Sequence, residues 1–126
     1  MPRILTVDDD PQQLDFRMTL LEEAGHAVVG ALSTQQAMRE IEKGGTDLMI
    51  MDLRFPNAQG EAEAKEGMEL IRHVRESGCA IPIIVLSGWP EELYGSAEER
   101  MVSRIMLKPV RPRELLEAVG QAVSVG

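Results

Sequence analysis

The 126-residue sequence predicts a doubly wound α/β domain, a five-stranded parallel sheet with helices on both faces. Two observations carry that prediction. Short apolar runs alternate with longer stretches of helical periodicity, the rhythm of repeated βαβ units. Most of the runs are continuously apolar rather than alternating, as expected of strands covered on both sides. Strands are expected at Ile4–Val7, Ala27–Ala31, Leu48–Met51, Ile83–Leu86 and Ile105–Leu107.

The first strand runs into Asp8-Asp9-Asp10, and Asp10-Pro11 places an N-cap ahead of proline at the first helical position. Gln13 completes a pattern like a capping box. Leu14, Met18 and Leu21 then share a face, and Gly25 ends the helix. After the second strand, Ser33 with Gln36 opens a helix that Gly44-Gly45 closes. The third strand ends at Asp52, and a helix carried by Met68, Ile71 and Val74 follows at some distance. Beyond the fourth strand comes a long loop, then Ser96 and Glu99 as the capping box of a short helix, Ala97 to Val102. Pro112, Leu115, Leu116 and Val119 carry the last helix. With no linker, repeat or low-complexity tract, residues 1–126 are expected to form one domain, alone or as a piece of a longer protein.

Composition narrows the function. Hydrophobic residues at 44% and charged residues at 27% are ordinary for a soluble globular chain. A net charge of -8 argues against direct binding to nucleic acid, whose phosphates need a basic face. The single cysteine, Cys79, excludes an internal disulfide and fits a reducing compartment. The start of the sequence lacks a signal-peptide stretch, and no segment approaches the roughly 20 apolar residues of a membrane span. The expectation is a cytoplasmic protein that does not engage membranes.

The informative residues share one kind of place. Asp8 and Asp9 close the first strand, Asp52 follows the third, Ser87 the fourth and Lys108 the fifth. Ligands of an open parallel sheet bind outside the carboxyl ends of its strands, so these side chains should meet at one edge. Clustered carboxylates repel: at an effective dielectric of about 20, each pair about 5 Å apart costs roughly 3 kcal/mol. A cation must offset this, and hard oxygen ligands select Mg²⁺. A carboxylate can attack a phosphoryl group to form an acyl phosphate. Asp52, alone after a central strand with Asp8 and Asp9 beside it, is the expected nucleophile. Mg²⁺ on one side and the Lys108 ammonium on the other would neutralise the transferred charge, while the Ser87 hydroxyl donates to a phosphoryl oxygen. Solvated loops would explain one or two of these acids, but not a cluster paired with a lysine and a hydroxyl.

Together these residues resemble the receiver domains of two-component response regulators, over essentially the whole chain. The likeness rests on Val7-Asp8-Asp9-Asp10-Pro11, Asp47 with Met51-Asp52-Leu53, Pro56 four residues past Asp52, Val85-Leu86-Ser87, and Leu107-Lys108-Pro109. The resemblance implies a flavodoxin-like strand order, 2-1-3-4-5, and a Mg²⁺ pocket of Asp8, Asp9, Asp52 and the backbone carbonyl of Arg54. It implies that Asp52 accepts phosphate from a histidine kinase or histidine phosphotransfer protein, with Ser87 and Lys108 binding the phosphoryl group. It further implies a cis Lys108-Pro109 bond and no catalysis beyond the domain's own phosphorylation and dephosphorylation. Output would pass to an unidentified downstream protein or to a second copy of the chain.

Three departures from the family pattern stand out. Gly60 holds the spacing that usually opens the third helix, but the helix-like stretch starting at Gly67 lies seven residues later (67 − 60 = 7). The added Glu61–Glu66 run is rich in helix formers and offers a Glu61–Lys65 pair, predicting an extra helical turn or two, with a flexible loop as the alternative. The switch position three before the lysine, normally aromatic, is Ile105, read here as an ordinary strand residue, so output must take another route or couple weakly. Trp89 and Tyr94, two of four aromatic residues, precede the short fourth helix. They read as packing over the neighbouring helix, or alternatively as anchors for a partner. In the family, the residues two past the acceptor and two past the hydroxyl flank the path of hydrolytic water. Here they are Arg54 and Trp89, a bulky pair expected to shield the acyl phosphate.

Other functions fit less well. An aspartate-nucleophile phosphatase would use Asp8-x-Asp10, but Pro11 follows where a small hydroxyl or apolar residue is expected, and there is no cap for a substrate. A receiver-like interaction domain without a working switch is the more serious rival, favoured by Ile105 and the altered fourth helix. A dinucleotide-binding domain is excluded, since no Gly-x-Gly-x-x-Gly follows the first strand.

Overall fold

The computed structural model describes residues 1–124. In chain order its elements are β1 (Arg3–Val7), α1 (Pro11–Glu23), β2 (Ala27–Ala31), α2 (Thr34–Lys43), β3 (Leu48–Asp52), β4 (Phe55–Pro56), β5 (Ala62–Glu63), α3 (Lys65–Glu76), β6 (Ile83–Ser87), β7 (Arg104–Leu107) and α4 (Pro112–Ser124). The five long strands form one parallel sheet in the order β2-β1-β3-β6-β7. This is the expected order once the added hairpin, β4-β5, is set aside.

Strand parity sorts the apolar residues into two cores. Successive side chains point to opposite faces. Leu5, Val7, Met49, Met51, Ile83 and Val85 therefore meet Ala37 and Ile41 of α2 and Leu70, Ile71 and Val74 of α3. Ile4, Leu48, Ile50, Ile84 and Leu86 point the other way, toward Leu21 of α1 and Leu115, Ala118 and Val119 of α4. Helices on both faces are why the central strands read as unbroken apolar runs.

The helix ends follow their sequence markers in most cases. Asp10 Oδ1 accepts the Gln12 N–H at 2.9 Å, with Pro11 at the first position, and Gly25 turns the chain away at φ 97°. Ser33 Oγ accepts the Gln36 N–H at 3.1 Å, while Gln36 Oε1 accepts the Leu32 N–H at 2.8 Å, a capping box displaced by one residue. The Lys108-Pro109 bond is cis.

Two expectations fail. The stretch after Asp52 gains no helical turns ahead of residue 65; it forms an antiparallel hairpin in which Phe55 pairs with Glu63 and Pro56 with Ala62. Asn57 builds the turn: its N–H donates to the Glu61 carbonyl at 2.9 Å, and its Oδ1 accepts the N–H groups of Gln59 at 2.9 Å and Glu61 at 3.0 Å. A short run of helix formers cannot offset helix nucleation alone, and the asparagine offers the backbone a competing turn.

The short fourth helix fails in type though not in place. In its place stand two 3₁₀ turns, Pro90–Glu92 and Ala97–Met101. Ser96 does not cap: its hydroxyl donates to the Leu93 carbonyl at 2.6 Å, and Glu99 Oε1 accepts from the Gly95 N–H at 2.8 Å. Pro90 and Gly95 cut the segment into pieces too short to propagate an α-helix. Arg75 of α3 fastens this segment, donating to the carbonyls of Cys79 at 3.0 Å, Ile81 at 2.7 Å and Met101 at 2.9 and 2.6 Å. No helix among the described residues is long and apolar enough to cross a membrane.

Candidate functional site

The parallel register sets Val7 beside Met51 and Met51 beside Val85. The residues that follow these positions leave the sheet together at its carboxyl edge. Asp8 follows β1, Asp52 ends β3 and Ser87 ends β6, whose partner on β7 is Leu107. Lys108 comes next, its N–H donating to the Ser87 carbonyl at 2.9 Å. Asp8 and Asp52 are buried and Asp9 is exposed, and one carboxylate oxygen from each of the three lies within 4.8 Å of the others.

The cluster is short of positive charge. Burial first, then the neighbouring Asp8 carboxylate, pushes the Asp52 carboxyl up to about 7, and Lys108 and Arg17 pull it back only in part. Burial, followed by the Asp8 charge, also raises Asp9 above the ordinary carboxylate range. Lys108 Nζ stands 3.0 Å from Asp52 Oδ1, yet this buried oxygen accepts no aligned hydrogen bond among the described residues. A hard, all-oxygen donor set with an orphaned buried acceptor fits a small divalent cation such as Mg²⁺.

One residue of the site was not read from the sequence. Arg17, only 7% exposed, reaches into the cluster from α1. Its Nη2 donates to Asp8 Oδ2 at 3.1 Å and stands 3.7 Å from Asp52 Oδ1, while Nη1 donates to Thr6 Oγ1 at 3.2 Å. A signal existed. Position 17 lies three past Leu14 and four before Leu21, on the buried face with them.

Above the cluster, the Arg54 guanidinium lies 3.7 Å from the centre of the Trp89 ring. Arg54 Nε also donates to Glu92 Oε1 at 2.9 Å. Trp89 thus packs on Arg54, and it stays half-exposed, as does Tyr94. The Ser87 hydroxyl accepts the Trp89 N–H at 2.9 Å, which leaves its own proton free to donate. Asp52, Arg54, Trp89 and Lys108 share a cleft of about 680 Å³, walled on its apolar side by Phe16, Leu20 and Val110. Ile105 lies outside that cleft, packed against the core on the α2–α3 side.

Known proteins are similar to this chain in sequence and fold. The chain matches the family described as response regulator receiver domain over residues 4–120. It is 33% identical over 121 residues to an uncharacterized 14.6 kDa protein of Leptolyngbya boryana, covering 94% of this chain and 87% of that one. It is 28% identical to the sensor protein GacS of Pseudomonas syringae pv. syringae, covering 92% of this chain but only 15% of GacS. Among solved structures, the response regulator TrrA of Thermotoga maritima, in complex with Mg²⁺-BeF, superposes with a TM-score of 0.81 at 25% identity, covering 97% of this chain and 99% of that one. A sensor protein of Polaromonas sp. JS666 gives 0.82 at 26% identity, covering 98% and 97%. By sequence, sheet order and the acidic edge alike, the chain belongs to the response regulator receiver domain family.

Proposed function

We infer that this domain is a phosphoacceptor: Asp52 takes a phosphoryl group from a histidine kinase or histidine phosphotransfer protein in a Mg²⁺-dependent reaction. The observation that carries this reading is the position of Asp52, buried at the end of central β3, with Lys108 Nζ at 3.0 Å and two further carboxylates beside it. An Asp52 oxygen forms a new P–O bond as the donor's P–N bond breaks, and the electron pair leaves with the imidazole. Lys108 neutralises charge on the transferred group, and the Ser87 hydroxyl donates to one of its oxygens.

Asp8, Asp9 and Asp52, with the Arg54 backbone carbonyl, would hold the Mg²⁺. Bound there, it would supply the positive charge that keeps Asp52 ionised and offsets the phosphoryl oxygens. The Mg²⁺-BeF complex of TrrA supports this reading, and the match to GacS, a sensor histidine kinase in Pseudomonas protegens, supports a kinase as donor. Residues 1–126 would act as a single cytoplasmic domain with no direct role in nucleic-acid or membrane binding. It would signal to a downstream protein, or through a second copy, without conventional enzymatic turnover.

A second reading, an interaction domain of the same fold without the switch, is favoured by the Arg17 guanidinium inside the pocket and by the 3₁₀ turns where a fourth helix was expected. Incubation with Mg²⁺ and a small-molecule phosphodonor, followed by intact mass measurement, separates the two. One added phosphoryl group on the native chain and none on Asp52→Asn is the expected result. No addition to the native chain, with Mg²⁺ binding intact, would transfer the case to the second reading.

A further inference from the structure

The Arg17 guanidinium stands where the acidic cluster most needs a cation. It is buried, bonded through Nη2 to Asp8 at 3.1 Å, and 3.7 Å from Asp52 Oδ1. Its other nitrogen is fixed by the Thr6 hydroxyl, itself fully buried on β1, at 3.2 Å. A surface arginine sweeping past would not be tethered in this way. Asp9 is the exposed member of the cluster, and no ion pair joins Arg17 to it among the described residues. The pocket therefore has two sides: an inner side, Asp8 with Asp52, faced by a built-in cation, and an outer side at Asp9 that opens to solvent.

We propose that Arg17 is a resident counter-cation of the acidic pocket, holding Asp8 and Asp52 together in the metal-free chain and competing with the divalent ion for them. This rests on the reading of the pocket as a Mg²⁺ site. Arg17 Nη2 already occupies Asp8 Oδ2 and faces the same Asp52 Oδ1 as Lys108, so a divalent ion drawn to these carboxylates meets a second cation, and repulsion a few ångströms apart is strong even at an effective dielectric of about 20. Mg²⁺ also demands near-octahedral oxygen donors and accepts no crowding nitrogen cation in its first sphere. Metal entry must therefore loosen the Arg17–Asp8 and Arg17–Asp52 contacts. The cost of loosening them is subtracted from the metal's affinity. In return, the metal-free fold keeps partial neutralisation of buried charge that Lys108 alone does not provide. Arg17 is thus a tuning residue: it sets the Mg²⁺ concentration at which the site fills.

The test compares the native chain with Arg17→Met, close in length and uncharged, and with Arg17→Lys, which keeps a cation on a shorter reach. Mg²⁺ affinity is read by titration calorimetry with MgCl₂, and thermal midpoints are read in EDTA and in saturating Mg²⁺. Arg17→Met is expected to bind Mg²⁺ at least about tenfold more tightly, since a competing charge is gone. It is also expected to gain a larger rise in midpoint from Mg²⁺ than the native chain, because its metal-free form is the one that suffers. Arg17→Lys should fall between the two. A residue that merely packs would lower the midpoint equally in both conditions and leave the affinity unchanged. That result would overturn the proposal while leaving the metal site standing. Failure of the native chain and both variants to bind Mg²⁺ would overturn the proposal together with the reading beneath it. Should Arg17→Met not fold in EDTA yet fold when Mg²⁺ is added, the counter-cation role is supported directly.

Discussion

Trp89 and Arg54 form a lid on the site with modest energy behind it. A cation–π contact at a half-exposed position is worth about 0.5–1 kcal/mol. The Arg54–Glu92 pair, with both side chains partly exposed, adds at most about 1 kcal/mol. A lid this weak can open for a phosphodonor and still slow the entry of water between encounters. Trp89→Ala should therefore shorten the life of phosphorylated Asp52 about fivefold, the equivalent of about 1 kcal/mol of barrier. Decay of the phosphorylated mass at constant pH measures this, and an unchanged lifetime would mean that the stacked pair guards nothing. Arg54 and Trp89 stood out in the sequence as site residues only through the family resemblance, which sets them two past Asp52 and two past Ser87. Their stacking was not legible, since nothing in the sequence says that a hairpin and a 3₁₀ turn bring these two side chains face to face.

At the scale of elements, α3 supports the chain beside the site. Gly67, in its first turn, rests directly on the carbonyl of Leu53, the residue after Asp52, and an added Cβ would collide with that backbone. Gly67→Ala should cost about 1–3 kcal/mol by overpacking and should also slow the proposed phosphoryl uptake, because relief requires moving the chain beside Asp52. Urea midpoint and uptake rate are expected to fall together; a lower midpoint with an unchanged rate would separate the support from the site. At the other end of α3, Arg75 satisfies three carbonyls of the loops around β6. Arg75→Met keeps the aliphatic stem but strands those acceptors, and should cost about 2–3 kcal/mol in urea unfolding at unchanged phosphoacceptor chemistry. The elements the sequence misjudged are those where local pattern and chain connection disagree. Glu61–Glu66 has helical composition, but the Asn57 turn ahead of it fixes the backbone first. Ser96 and Glu99 have the right spacing for a cap, but Pro90 and Gly95 leave no room for the helix. The long helices were legible because periodicity extends over ten or more residues, and the central strands because cover on both faces leaves continuous apolar runs; the short pieces have neither signal.

For the molecule as a whole, fold and site share one cause: a parallel sheet delivers the ends of its strands to one edge. Asp8, Asp52, Ser87 and Lys108 could be placed together from sequence alone because that rule is independent of side-chain detail. Arg17 could not be placed so easily, since helical periodicity marks a buried face without saying that a charge on it has partners. The same sheet makes Asp52 a burden to folding. Desolvation and the Asp8 charge raise Asp52 to about 7, so its ionised form is disfavoured in the metal-free fold at neutral pH. Removing that charge should relieve the fold. A like-charge pair about 5 Å apart costs roughly 3 kcal/mol at an effective dielectric of about 20, and Lys108 and Arg17 return part of it, leaving a net gain of about 1–2 kcal/mol for Asp52→Asn. Urea unfolding in EDTA should show the variant more stable than the native chain. In saturating Mg²⁺ the order should narrow or reverse, because the variant has given up a carboxylate that, on the proposed reading, the native chain would use to bind the stabilising ion. Equal stability in EDTA would mean that Arg17 and Lys108 already neutralise the pocket in full, and that the acceptor carries no strain for the metal to relieve.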